Sequence, residues 1–219
     1  MATNTGLRRA YTVWAIFYDC VVRPLRWSRR RSIALLDLRA GDSVLLVGCG
    51  TGSDFEFIPR EVKVTAVDLT PAMLRRAAAK AGDRGITLLE MDAMALRFPD
   101  STFDKTILHH ILAVVPDPVR ALQEAERVTK SNGLLVVLDK FWNRPTSPPL
   151  PLRIANALLG GYVTAVDRNF YAILKETSLV LLQEIPLGFG GLYLNYLLRK
   201  CASRPGKRTC LGHIAKEWH

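Results

Sequence analysis

The sequence predicts an α/β fold in which a mostly parallel sheet carries helices on both faces. Two observations predict it. Short apolar runs that end in glycine or an acid alternate with segments of helical spacing, the pattern of repeated β-α-β units. The run Val44-Leu45-Leu46-Val47 is apolar at every position, not every second one, which suits a strand buried on both faces. The chain has 219 residues, about half of them apolar, enough for one domain with its own core and short additions.

The elements follow in order. Residues 1–38 read as an N-terminal amphipathic basic segment. Tyr11, Trp14, Ala15, Tyr18, Val21 and Val22 recur at three-and-four spacing from Leu7 to about Trp27, with a break at Pro24. Helix resumes over Ser32 to Leu38 and Gly41 stops it. The main domain spans 39–202. Strand one is Ser43 to Val47, with a helix over Ser53 to Ile58 that Ser53 or Asp54 caps. Strand two is Val62 to Asp68. The next helix opens on Thr70-Pro71, a cap followed by proline at the first helical position, and runs to Ala81. Strands three and four are Ile86 to Glu90 and Phe103 to Leu108, and a helix runs from Pro118 to Lys130. Asn132-Gly133 stops that helix before strand five, Leu134 to Asp139. A proline-rich loop (145–151) and a short helical stretch to Gly160-Gly161 precede a turn near Asp167. Leu179 to Ile185 and Leu192 to Leu198 read as two last strands, with Gly188, Gly190 and Gly191 between them. Residues 203–219 form a basic tail.

The chemistry gathers where the strands end. Gly48, Gly50 and Gly52 occupy alternate positions directly after strand one. Such spacing lets the backbone turn sharply and admits a ligand close to the main chain. Asp68 closes strand two, where a carboxylate can accept two ribose hydroxyls. Together they describe a nucleoside site. The glycines run G-x-G-x-G, not the G-x-G-x-x-G of a dinucleotide fingerprint.

These residues carry a resemblance. Val47-Gly48-Cys49-Gly50-Thr51-Gly52 resembles motif I of the class I S-adenosylmethionine-dependent methyltransferases, and Val67 to Leu74 resembles the V-D-x-S-P-x-M-L segment of their quinone, lipid and small-molecule subgroup. Met91-Asp92-Ala93, Phe98 to Asp104, Val115 to Pro118, Leu122-Glu124-Arg127-Val128 and Asn132-Gly133-Leu134 are similar to its later blocks. The resemblance covers about 39–140. It implies a Rossmann-like seven-stranded sheet closed by an antiparallel pair, with S-adenosyl-L-methionine as cofactor. The cofactor would lie against Gly48, Cys49, Gly50, Thr51, Gly52, Asp68, Leu69, Met73, Asp92, Ala93, Met94 and His109. Two departures stand out. The family carries an acid two residues before the first glycine, where this chain has Leu46. It carries Asn-His after strand five, where this chain has Asp139-Lys140.

The wider layout resembles the membrane-associating bacterial phosphatidylethanolamine N-methyltransferases. Tyr18-Asp19, the block Thr164 to Asn169 and the block Leu187 to Tyr193 carry that likeness. It implies transfer of a methyl group to a lipid headgroup amine. Tyr18 and His109 are the expected catalytic residues. Tyr11, Trp14, Lys140, Trp142, Arg153 and Arg168 are expected beside Tyr18 around the substrate, with an arginine on the lipid phosphate.

Charge points the same way. The net charge is +10 and is concentrated at the two ends. Arg8, Arg9, Arg23, Arg26, Arg29, Arg30 and Arg31 face only Asp19 in the first segment. Segregated positive charge beside aromatic residues suits an anionic membrane surface. The helix can equally be a lid packed on the domain. No run reaches the roughly 18 apolar residues of a membrane span, and no secretory leader is evident. Cys20, Cys49, Cys201 and Cys210 lack metal-ligand spacing. The expectation is a cytoplasmic, metal-free enzyme held at the inner membrane face. Alternatives are C- or O-methylation of a quinone or other hydrophobic small molecule, and a nucleic-acid-binding module without catalysis.

Overall fold

A computed structural model describes residues 25–143, 168–187 and 193–202. The expectations for Tyr11, Trp14, Tyr18, Arg153, the 145–151 loop, the turn near Asp167, Gly188, Gly190 and Gly191, and the 203–219 tail lie outside these residues.

Strands β1 (Ser43–Val47), β2 (Lys63–Asp68), β3 (Thr87–Glu90), β4 (Phe103–His109) and β5 (Thr129–Lys140) run parallel. β6 (Leu179–Pro186) is antiparallel to β7 (Tyr193–Lys200), which is antiparallel to β5. Among the described residues these form one seven-stranded sheet in the order β3-β2-β1-β4-β5-β7-β6. Helices α1 (Arg26–Ala34), α2 (Pro71–Ala81), α3 (Pro118–Val128) and α4 (Phe170–Leu174) complete the described elements.

The apolar run in β1 is explained by two cores. Leu45 and Val47 join one cluster with Leu108, Leu122 and Tyr196, while Val44 and Leu46 join a second with Phe55, Ile107 and Val136. Alternate side chains leave opposite faces of the strand, and both faces are covered. Leu46, which stands where the family has an acid, is 1% exposed within that second cluster. An unpaired carboxylate there would carry a heavy desolvation cost.

Four expected elements differ. The helix over Ser53 to Ile58 is a single 3-10 turn, Phe55–Phe57. Pro59 follows too soon for a longer helix, and Asp54 makes no side-chain cap bond because its carboxylate is engaged elsewhere. The first helix ends at Ala34 instead of Leu38, and Asp37 turns left-handed at φ 46°. Thr70 makes no side-chain cap bond to α2. Asn132-Gly133 lies inside β5, which starts at Thr129 directly after α3. Asn132 is left-handed at φ 63°, and a side chain on Gly133 would meet the Asp104 carbonyl at 2.8 Å.

Candidate active site

The parallel strands deliver their C-terminal ends to one rim, where open α/β sheets bind ligands. A solvent-open cleft of about 670 Å³ lies there. Its floor is the loop after β1. The Gly48 and Cys49 N–H groups both donate to the Val67 carbonyl at 2.9 Å. Gly48, Gly50 and Gly52 all have positive φ, at 71°, 54° and 78°. A Cβ on Gly48 would come within 2.6 Å of the Ile111 side chain, and one on Gly52 within 2.5 Å of the Phe55 ring. Glycine is therefore required twice over, by conformation and by space.

Asp68 ties this floor to the next strand. Its carboxylate accepts the Gly50 N–H and the Thr70 N–H, each at 2.8 Å. Burial pushes its pKa up, against the pull of those two bonds. The Thr70 side chain and the Leu69 backbone bond it as well. Asp92 folds its own turn by accepting the Met94 N–H at 2.9 Å.

The far wall is the loop after β4, with His110, Ile111, Val114 and Val115 on the cleft. Two anchors shape it, Asp139 buried and Arg168 half-buried. Asp139, at the end of β5, accepts the Ala113 N–H at 2.8 Å, and the Arg168 guanidinium donates to the carbonyls of Leu112 and Val115.

Beneath the rim runs a closed polar chain. The Arg29 guanidinium donates to Asp54 at 2.8 Å, and the other Asp54 oxygen meets His109 Nδ1 at 2.8 Å. His109 Nε2 meets the Ser32 hydroxyl at 2.9 Å, and Ser32 donates to Asn195 Oδ1 at 2.8 Å. All five residues are buried. Burial alone would raise the Asp54 pKa, but the Arg29 guanidinium and His109 overcome it and hold the carboxyl well below the usual range. The chain fastens α1 to the glycine loop, β4 and β7.

The expected site residues divide accordingly. Gly48, Gly50, Asp68, Leu69, Met73, Asp92 and Ala93 line the cleft. Cys49, Thr51 and Gly52 lie buried in the floor; burial pushes the Cys49 thiol up, as does the nearby charge of Asp68 and Asp54. Met94 is not on the cleft. It is half-buried against the core, and its carbonyl accepts from Arg120. His109 does not line the cleft: it is 4% exposed with both ring nitrogens partnered, and its neighbour His110 stands on the rim instead. The Arg168 guanidinium does not line the cleft either; it donates to the carbonyls behind the wall. Lys140 and Trp142 do not line the cleft. The Lys140 ammonium lies 5.9 Å from the Tyr193 ring centre, and the Trp142 N–H donates to the Arg168 carbonyl at 2.8 Å. Sequence reasoning missed Asp54, Ser32, Asn195 and Asp139. Only Asp139 left a signal, as an acid within an apolar strand end.

With this geometry in view, the relatives can be placed. The methyltransferase-domain family matches residues 45–137. A phosphatidylethanolamine N-methyltransferase of Cereibacter sphaeroides is 32% identical over 86% of this chain and 94% of its own length. A demethylmenaquinone methyltransferase of Thermobifida fusca is 37% identical over 60% of this chain and 59% of its own. Among solved structures, a methyltransferase in complex with the Trm112 methyltransferase activator of Haloferax volcanii shares the fold, with a TM-score of 0.73 and 13% identity over 88% of this chain and 98% of that one. The chain belongs to the class I S-adenosylmethionine-dependent methyltransferases. Within them it stands with the relatives that act on phospholipids and quinones, and S-adenosyl-L-methionine is its methyl donor. The glycine floor lets a ligand approach the main chain closely, and Asp68, Asp92 and Ala93 line the same cleft. Among the described residues there is no cluster that could hold a metal ion and no helix long and apolar enough to cross a membrane.

Proposed function

We propose that this enzyme methylates the headgroup amine of a phospholipid, phosphatidylethanolamine first, at an anionic membrane surface on the cytoplasmic side. The observation that carries this reading is extent. The phosphatidylethanolamine N-methyltransferase relative is matched along nearly its whole length, while the demethylmenaquinone relative is matched along 59% of its own. The exposed side of α1 supports it. Trp27 is 51% exposed and flanked by exposed Arg26, Arg30 and Arg31, the composition of a helix that rests in a headgroup layer. Residues 1–24, with Tyr11, Trp14 and Tyr18, precede that helix directly and are assigned to the lid and acceptor contacts. Arg153 is assigned to the lipid phosphate.

The reaction asks for alignment more than covalent help, because the sulfonium is already activated. The residues here supply a fixed floor and wall between which donor and acceptor meet. Vesicle flotation tests docking: binding should require anionic lipid and weaken with salt. Mass spectrometry of lipids from cells expressing the chain tests the acceptor. N-methylated phosphatidylethanolamines are the expected products; a methylated quinone with unchanged lipids refutes the lipid reading. The quinone reading rests on the higher identity, 37%, to the demethylmenaquinone enzyme.

A further inference from the structure

We propose that His110 holds the acceptor in place, its imidazole taking a hydrogen bond from the N–H of the primary amine to be methylated. This rests on the methyl-transfer reading above. His110 lines the same cleft as Gly48, Gly50 and Asp68, so a donor seated on the glycine floor and an acceptor touching His110 share one cavity. Its backbone is left-handed at φ 57° and is held there by its N–H bond of 2.8 Å to the Leu138 carbonyl of β5. Side chains held in that conformation gather at functional sites. The ring packs edge-on against Tyr193, with centres 5.8 Å apart, which limits its rotation. Its Nε2 is buried without a hydrogen-bond partner among the described residues. Buried polar atoms left without a partner are rare in native proteins, and an incoming N–H supplies one.

Charge fits this assignment. Burial pushes the His110 pKa well below that of an ordinary histidine. Arg29 of α1, His109 of β4 and Lys140 of β5 push it the same way, and Asp54 opposes them. Tyr193 of β7 faces it as an uncharged ring. The imidazole is therefore neutral, as a site for a sulfonium cation needs. In the transfer, the amine lone pair forms the new N–C bond. The methyl–sulfur bond breaks and leaves its electron pair on sulfur. The positive charge passes from sulfur to nitrogen, and the resulting ammonium releases its proton to water before any further round. An imidazole that accepts the amine N–H fixes the direction of the lone pair without adding a second cation.

The parent, His110→Asn and His110→Phe decide the matter. Asparagine tolerates the left-handed backbone and offers a shorter acceptor. Phenylalanine keeps a ring against Tyr193 and offers none. With mixed vesicles of phosphatidylethanolamine and phosphatidylglycerol, kcat should fall about 100-fold in His110→Phe and less in His110→Asn. Calorimetric affinity for S-adenosylhomocysteine should be unchanged in both. Parental kcat in a folded His110→Phe overturns the proposal; should that variant not fold, parental kcat in His110→Asn overturns it. A separate readout is independent of the acceptor. In the parent loaded with S-adenosylhomocysteine, the His110 ring nitrogen resonances should remain those of a neutral imidazole below pH 6. Protonation at or above the ordinary value of about 6.5 overturns the proposal. A neutral ring in a protein that leaves the lipid unmethylated supports the site and refutes the lipid reading.

Discussion

His109 and His110 are neighbours in the chain, yet they belong to opposite regions. His109 enters a sealed chain of five buried groups beneath the rim, where both of its ring nitrogens are partnered. His110 stands on the open cleft with one nitrogen lacking a partner among the described residues. The difference is one of saturation. A histidine whose nitrogens are both spent on the fold has nothing left for a ligand, whereas one with a spare nitrogen can still recognise something. The lower region holds the elements together and the upper region lines the cleft.

The sharpest way to break this contrast is to cut the lower chain. Asp54→Ala removes the buried carboxylate shared by Arg29 and His109 and should cost about 3–5 kcal/mol in urea unfolding. A loss under about 1 kcal/mol would mean that the chain does not fasten α1. In the upper region, Asp68→Asn should weaken S-adenosylhomocysteine binding about 10- to 100-fold in calorimetry, since hydrogen bonds to a charged group contribute about 1.5–3 kcal/mol. Cofactor affinity equal to the parent's would remove Asp68 from the donor site. Tyr196→Phe probes the core between them. It keeps the ring stacked on Phe170 at 3.7 Å and loses only the bond from Asn143, so about 1 kcal/mol is expected.

Acid sharpens the comparison further. Asp54 is held low in the folded state, and Asp104, beside Lys130 and Ser43, lies at about 2 although burial opposes it. A depressed carboxylate contributes stability above its unfolded pKa of about 3.9 that is lost as pH falls through the folded value. Thermal midpoints should therefore drop from about pH 4 downward, and Asp104→Asn should flatten that slope between about pH 4 and 2. The smallest effect is reserved for exposed pairs. Arg60→Ala removes a contact to Asp83 and should leave the melting temperature where it was, because exposed ion pairs contribute little.

The strands themselves were legible because burial on two faces writes continuous apolar runs, and β1 shows both faces in use. The glycine floor was legible because a left-handed turn in a crowded place demands glycine, and Asp68 because it closes a strand at the rim. The turn at Phe55–Phe57 was not. Asp54 reads locally as a helix cap, yet Arg29 and His109, 25 and 55 residues away, claim its carboxylate. The different settings of His109 and His110 were hidden for the same reason. His109 ends β4 and His110 turns left-handed just beyond it, but what seals His109 is α1 and β7, both distant in sequence. Arg168 shows the limit again: its charge suggested a phosphate, and its partners are carbonyls that no local pattern announces.

Gly48 has one more consequence. Its missing side chain lets Ile111, on the opposite wall, come so near that an added carbon would collide at 2.6 Å. The width of the cleft between the loop after β1 and the loop after β4 thus depends on the absence of a single carbon at that point. An alanine there would both strain a left-handed backbone and force the Ile111 side chain to give way.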